Sequence, residues 1–270
     1  MPLWMRIQRR LRDQFGISRP RRQELVGRFF FSTLQSVTNR IRLPIYLAYR
    51  PDGEYCFDTD RTIRGLRASW IRKNAANNLG DLPRLYSLLL NVRQLLQEGV
   101  PGDFAELGVF KGNSAKVLAD LIASEPRTLY LFDTFEGFDS RDLKGVDGRV
   151  GPEFGNTSLG DVREFIGEKN VQYLAGWFPD SVTAEARAAR YALAHIDCDL
   201  YAPALAALEF FYPRMSPGGM ILLHDYSSGH WPGIRQAVDE FIAARQIPER
   251  PVLWPDKSGS AALRIMARGA

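Results

Sequence analysis

The sequence predicts an α/β fold with a doubly wound, mostly parallel seven-stranded sheet, its last strand antiparallel, behind an N-terminal helical extension. Two observations carry this: short apolar segments alternate with stretches of helical spacing from about residue 100 onward, and the final two apolar segments flank a turn instead of a helix. A third is the helix before the alternation begins: Leu82, Leu85, Leu88, Leu89, Val92, Leu95 and Leu96 recur every three or four residues up to Gly99.

The elements follow in order. Strands are expected over 102–109, 128–132, 171–175, 192–196 and 220–223, with helices over 113–123, 158–168, 183–190, 202–212 and 233–245. A glycine-rich loop separates 136 from 157, and the turn Ser216-Pro217-Gly218-Gly219 precedes the fifth strand. Segments 251–254 and 261–266 flank Asp256-Lys257-Ser258-Gly259 and read as a terminal hairpin that brings the last strand in antiparallel. Such a Rossmann-like sheet binds ligands beyond the carboxyl ends of its strands, where the strand order reverses.

The 270 residues, 45% of them hydrophobic, suffice for one large domain over 79–270 with residues 1–78 as a basic extension. Charge is uneven: residues 1–50 hold eleven arginines against Asp13 and Glu24, a net +9, which leaves −5 for the rest of a chain whose total is +4. A basic head attracts nucleic acid, an anionic membrane surface or an acidic partner through the same long-range field. The run around Phe29-Phe30-Phe31 is too short to span a bilayer, and the start lacks the apolar core of a signal peptide, so a cytoplasmic location is expected. Cys56 and Cys198 form neither a disulfide framework nor a zinc pattern.

The chemistry-bearing residues sit at the expected strand ends. After the first strand comes Glu106-Leu107-Gly108-Val109-Phe110-Lys111-Gly112-Asn113-Ser114, a glycine-punctuated turn that lets a ligand approach the backbone. Its acid precedes the first glycine, where it repels a pyrophosphate but suits a cationic amino acid or a ribose. That turns the reading from NAD toward S-adenosylmethionine. On this reading Glu106, Gly108, Lys111, Gly112, Ser114 and, from the fourth strand, Asp197 contact the cofactor, Asp133 accepts the ribose hydroxyls, and Gly176-Trp177 offers an aromatic face to the adenine.

The fourth strand delivers Asp197-Cys198-Asp199, and in an extended segment the i, i+2 spacing puts both carboxylates on one side. The fifth ends in His224-Asp225, so Asp197, Asp199, His224 and Asp225 can share one rim. Such a cluster is compensated by a divalent metal or by arginine, or it serves acid/base chemistry without either. His195, inside the strand, reads as a core histidine, while Tyr226 and His230-Trp231 are candidate walls of an acceptor pocket or simple packing.

Taken together, Val100-Pro101-Gly102-Asp103-Phe104-Ala105-Glu106-Leu107-Gly108-Val109, Phe132-Asp133-Thr134-Phe135-Glu136-Gly137-Phe138, Gly176-Trp177-Phe178, Ile196-Asp197-Cys198-Asp199-Leu200-Tyr201, Tyr212-Pro213 and Ser216-Pro217-Gly218-Gly219 resemble, in order, the macrocin-type sugar O-methyltransferases. This is a metal-dependent branch of the class I methyltransferases, and the resemblance covers about 79–266. It implies an S-adenosylmethionine-dependent O-methyltransferase whose magnesium is held at Asp197, His224 and Asp225, with Asp199 as general base. It also implies an acceptor, a sugar, glycan or other small molecule, that presents hydroxyls. His224 stands where the family carries an acid, which brings manganese into question alongside magnesium and leaves open that His224 is a second-shell donor, a base or a neutral core histidine instead of a ligand; with Asp197 it is also a catalytic candidate. The family's N-terminal regions tend to cover the acceptor, so 46–78 is a candidate lid. Nucleic acid is not an expected partner; residues 1–50 are a candidate peripheral membrane contact, and a homo-oligomer stays open. Two rivals remain: a nicotinamide-dependent oxidoreductase, for which Val109-Phe110-Lys111 lacks the phosphate-cradling glycines, and a non-catalytic module that keeps only the cofactor fold.

Overall fold

The computed structural model describes residues 81–254 and 256–266, together with Gly65, Ser69 and Trp70. All of these belong to one compact unit, Tyr49–Ala270. The basic head, the boundary at 78/79 and most of the candidate lid lie outside the described residues.

Helix α1 (Leu82–Gln97) starts where Asp81 accepts from the Arg84 backbone N–H and Pro83 occupies the first turn, and it buries Leu82, Leu85, Leu88, Leu89, Val92 and Leu95 on one face. The alternation then runs β1 (Asp103–Leu107), α2 (Asn113–Leu121), β2 (Leu129–Asp133), α3 (Leu159–Ile166), β3 (Val171–Ala175), α4 (Ala184–Ala188), β4 (Tyr191–Ile196), α5 (Tyr201–Phe211), β5 (Met215–Leu223) and α6 (Pro232–Arg245). It closes with β6 (Val252–Leu253) and β7 (Ala261–Arg264).

The seven strands lie in the order β3-β2-β1-β4-β5-β7-β6. β1 to β5 are mutually parallel where they pair, and β7 runs antiparallel to both β5 and β6, as the hairpin signal predicts. Alternate residues feed opposite faces of the sheet. Phe104, Leu129, Leu131 and Leu193 pack with α1, α2 and α3, whereas Ala105, Tyr130, Phe132 and Ala194 pack with α5 and α6. The strand order reverses between β1 and β4, which places the switch point at the ends of Leu107 and Ile196.

Ser216-Pro217-Gly218-Gly219 departs from the sequence expectation: β5 begins at Met215 and runs through it. Gly218 sits at φ +79, and the pairing with β4 shifts register between Tyr191 and Leu193, so the four residues form an irregularity within the strand. Ile265 holds this stretch from the other side, accepting from the Gly218 N–H and donating to the Gly219 carbonyl, both at 2.8 Å.

Candidate active site

At the carboxyl ends of β1, β2, β4 and β5 lies a cavity of about 610 Å³. Its floor is the turn after β1, and the approach of that turn to β4 requires glycine. A Cβ on Gly108, at φ +88, would lie 2.6 Å from the Asp197 carbonyl carbon and 3.1 Å from the Cys198 Cα. Gly108, Lys111 and Ser114 line the cavity, with Asp133, Gly176 and Trp177 on its wall.

Several of these residues carry bonds the sequence reading did not assign. Asp133 accepts from the Val109 and Phe110 N–H groups at 2.7 and 2.8 Å through one oxygen and from Phe135 N–H at 2.6 Å through the other. It staples the β1 turn to β2. Burial pushes its carboxyl above the usual range, against the three N–H groups that favour the charge. Trp177 donates its indole N–H to Asp142 at 2.9 Å, and the Arg141 guanidinium lies 4.3 Å from its ring centre, so one aromatic face is already engaged.

Two predicted cofactor contacts stand outside the cavity lining. Glu106 is fully buried within the α1/α2 side of the sheet, where one oxygen accepts from the Ser114 hydroxyl and lies 3.1 Å from His195 Nδ1. The reason is strand alternation: Leu107 points to one face and Glu106 to the other, beneath α2, so the acid braces the turn from below. Gly112 caps α2 at φ +80, with its Cα facing Ile166 of α3. His195 is buried against Glu106, as a core histidine should be.

Asp197, Asp199, His224 and Asp225 all line the cavity, although not by the geometry an extended segment supplies. β4 ends at Ile196, and Asp199 sits at φ +63 with the Leu200 N–H donating to the Cys198 carbonyl at 2.7 Å, a γ-turn. Consecutive residues of a strand point opposite ways, yet His224 and Asp225 converge because Asp225 adopts φ +59 just past the end of β5. Phe110 and Phe154, also on the cavity wall, share this left-handed backbone at φ +49 and +60, and such positions gather where function over-determines the backbone.

Asp197, His224 and Asp225 form the one group of three potential metal ligands among the described residues, with a donor atom of each within 4.8 Å of the others. His224 Nδ1 lies 2.6 Å from Asp197 Oδ1 and 2.5 Å from Asp225 Oδ2. Despite these short separations, the buried Nδ1 makes no well-formed hydrogen bond to either oxygen. Two carboxylate oxygens and an imidazole nitrogen converging without linear bonds fit a cation better than they fit one another. Burial and the nearby Arg84 oppose a charged His224, but Asp197 and Asp225 outweigh them and hold its pKa up to about 10. Burial also opposes the Asp197 charge, yet Arg84 and His224 hold its carboxyl well below the usual range. Asp199 moves the other way: burial, with the charges of Asp197 and Asp225 beside it, pushes it well above.

Arg84 joins the site without having been a sequence candidate. It projects from the first turn of α1 and its Nη2 donates to Asp197 Oδ2, so an arginine and a potential metal set coexist at one carboxylate. Nothing marks it in sequence, because it falls on the polar stripe of an amphipathic helix with Ser87, Asn91 and Gln94. Trp70, inside the candidate lid, is buried and lines the same cavity. Trp231 lines it as well, in an aromatic wall with Phe138 at 5.7 Å and Phe154 beyond; Tyr226 instead is buried and donates to Asp239 at 2.7 Å, and His230 is exposed.

Comparison with known proteins bears on what this cavity serves. Residues 54–262 match the family model for macrocin O-methyltransferase (TylF). The chain is 30% identical over 187 residues, 64% of its length and 70% of the relative's, to the 8-demethyl-8-(2,3-dimethoxy-alpha-L-rhamnosyl)-tetracenomycin-C 4'-O-methyltransferase of Streptomyces olivaceus. It is 30% identical over 182 residues, 62% of its length and 70% of the relative's, to the mycinamicin III 3''-O-methyltransferase of Micromonospora griseorubida. Among solved structures, the O-methyltransferase NovP shares the fold at TM-score 0.59 and 24% identity, over 68% of this chain and 80% of that one. The nicotinamide reading fails against this family, as does the non-catalytic one, since the curated relatives are O-methyltransferases. The chain therefore belongs to the macrocin O-methyltransferase family and is an S-adenosylmethionine-dependent O-methyltransferase.

Proposed function

We propose that this enzyme methylates a hydroxyl of a sugar, with a divalent cation held by Asp197, His224 and Asp225. The observation that carries the reading is the convergence of those three donor atoms in the same cavity as the turn after β1, with Asp199 beside them. The names of the relatives support the acceptor class, since one acts on a rhamnosyl-bearing tetracenomycin.

A cation bound there lowers the pKa of a chelated hydroxyl. The chain's own residues do the rest. Asp199, on the cavity wall beside the three donors, accepts the hydroxyl proton as the oxygen attacks the sulfonium methyl. The new O–C bond forms as the S–C bond breaks, leaving S-adenosylhomocysteine. Gly108 and Gly176 admit the cofactor closely, and Asp133 holds the turn that receives it. Phe138, Phe154 and Trp231 give the acceptor an apolar wall that excludes water.

The test is transfer of labelled methyl from S-adenosylmethionine to a panel of free, nucleotide-linked and lipid-linked sugars, with and without chelator. Transfer that chelator abolishes and added cation restores is expected, with binding of S-adenosylhomocysteine unaffected. Chelator-resistant transfer would remove the cation from the reading, and transfer confined to non-sugar hydroxyls would remove the sugar. A cytoplasmic location and contact of basic residues 1–50 with an anionic membrane belong to the same proposal. That contact is abandoned if the chain lacking residues 1–50 floats with anionic vesicles as well as the full chain does.

A further inference from the structure

The three donor atoms are not all alike, and the difference selects among cations. Two are carboxylate oxygens and the third is a ring nitrogen of His224, whose Nδ1 faces both acids and offers a lone pair once its proton is displaced. Arg84 reduces the oxygen supply further: its guanidinium holds Asp197 Oδ2, so Asp197 offers only Oδ1 toward the other two donors. The same guanidinium offsets one negative charge, so that once a cation has displaced the ring proton of His224, Asp197, Asp225, His224 and Arg84 together carry −1. Asp199 adds no ligand atom to the group.

We propose that this site takes a first-row transition-metal dication in preference to Mg2+, and that His224 Nδ1 is the ligand that decides. The proposal rests on the cation-assisted reading above and goes further by naming the class of cation. Mg2+ is a hard ion that prefers anionic or water oxygens in near-ideal octahedral geometry and gains little from an imidazole. Mn2+, Fe2+ and Zn2+ accept nitrogen readily, and affinity for mixed nitrogen and oxygen sites rises across that series. Without a cation the two acids favour a protonated His224, but the geometry suits that pairing poorly. Both oxygens lie within 2.6 Å of Nδ1, and neither receives a hydrogen bond from it. Asp225, held at φ +59, turns its carboxylate to the same point, so the chain's local geometry gathers nitrogen and oxygen donors together.

The experiment uses the full chain with S-adenosylhomocysteine and Mn2+ as the paramagnetic probe. Pulsed electron paramagnetic resonance of the bound ion is expected to show the modulation of a directly coordinated 14N nucleus, and H224D and H224N should abolish it. Competition between Mn2+ and Mg2+ gives the ratio of their dissociation constants, expected to fall about tenfold or more in H224D. Retained S-adenosylhomocysteine binding certifies that each variant is folded, and the nitrogen signal of the unmutated chain needs no variant at all. Bound Mn2+ without nitrogen modulation, or a metal ratio unchanged in a folded H224D, overturns the proposal while leaving the cation-assisted reading intact. If neither ion binds, both fall together.

Discussion

Replacing Gly108 with alanine tests the most demanding contact in the structure. The residue sits at φ +88, where an L side chain costs about 1–2 kcal/mol. Its Cβ would meet the Asp197 carbonyl carbon at 2.6 Å, against an ordinary carbon separation of about 3.5–4 Å. The backbone of residues 197–198 must therefore retreat by about 1 Å, an overpacking that costs about 1–3 kcal/mol. Together these lower stability by about 2–5 kcal/mol, or roughly 5–20 °C in Tm for a unit of this size. Asp197 is one of the three converging donors, so the retreat also misaligns the reacting groups, and a displacement of this order costs roughly 100-fold in kcat/KM. Differential scanning calorimetry and methyl transfer with a fixed acceptor measure the two effects. A G108A protein that melts within about 2 °C of the parent and turns over normally would refute the argument that β1 and β4 are pressed together at this glycine.

Further substitutions separate roles that share one cavity. Asp199→Asn should lower kcat by about 10²–10⁴ while leaving S-adenosylhomocysteine affinity within a few fold, and a loss confined to affinity would remove it as base. Glu106→Gln should cost about 1–3 kcal/mol in chemical denaturation through its bonds to Ser114 and His195. Because Glu106 lies outside the cavity lining, cofactor affinity measured by calorimetry should change little; a large loss would restore it to the cofactor site. Asp147 accepts from the Tyr201 N–H at 2.6 Å and so caps α5 from 54 residues away. Asp147→Ala should destabilise by about 1–2 kcal/mol with a matching shift in the denaturation midpoint, and an unchanged midpoint would show that solvent caps the helix equally well.

The fold was legible because its signals are local and periodic. Strand 171–175 and the start of the first helix at Leu82 coincide with the structure, since apolar spacing alone sets which face is buried. β5 resisted because Pro217 and Gly218 carry the chemistry of a turn, and only the pairing of Met215 and Met220 with β4 on either side of them, with the Gly218–Ile265 bond, keeps them within a strand. Site residues divide along the same line. Asp197, His224 and Asp225 were readable because strand ends at a switch point face a ligand wherever the sheet is doubly wound. Whether an acid at a strand end faces that ligand or props the turn beneath it depends on one step of alternation, and Glu106 fell on the propping side.

Arg84 was invisible for a different reason, and the reason bears on how the site works. An arginine three residues after a helix cap reads as a solvated charge, and α1 would be equally amphipathic with lysine or glutamine there. Only the docking of α1 against the sheet turns it onto Asp197, and once there it is too buried to be an incidental ion pair: its Nε lies buried without a hydrogen bond. Breaking a buried pair by removing one partner leaves the other charge uncompensated, at a cost of about 3–5 kcal/mol. Asp197 is less exposed to that penalty than an isolated pair would be, because His224 and a bound cation can each compensate it. Arg84→Met should therefore be costly in the cation-free protein and markedly less so once Mn2+ and S-adenosylhomocysteine are bound. Thermal denaturation of the variant and the parent, each with and without both ligands, measures that difference. Equal destabilisation in the two states would mean that Arg84 merely anchors α1 and shares no carboxylate with the cation.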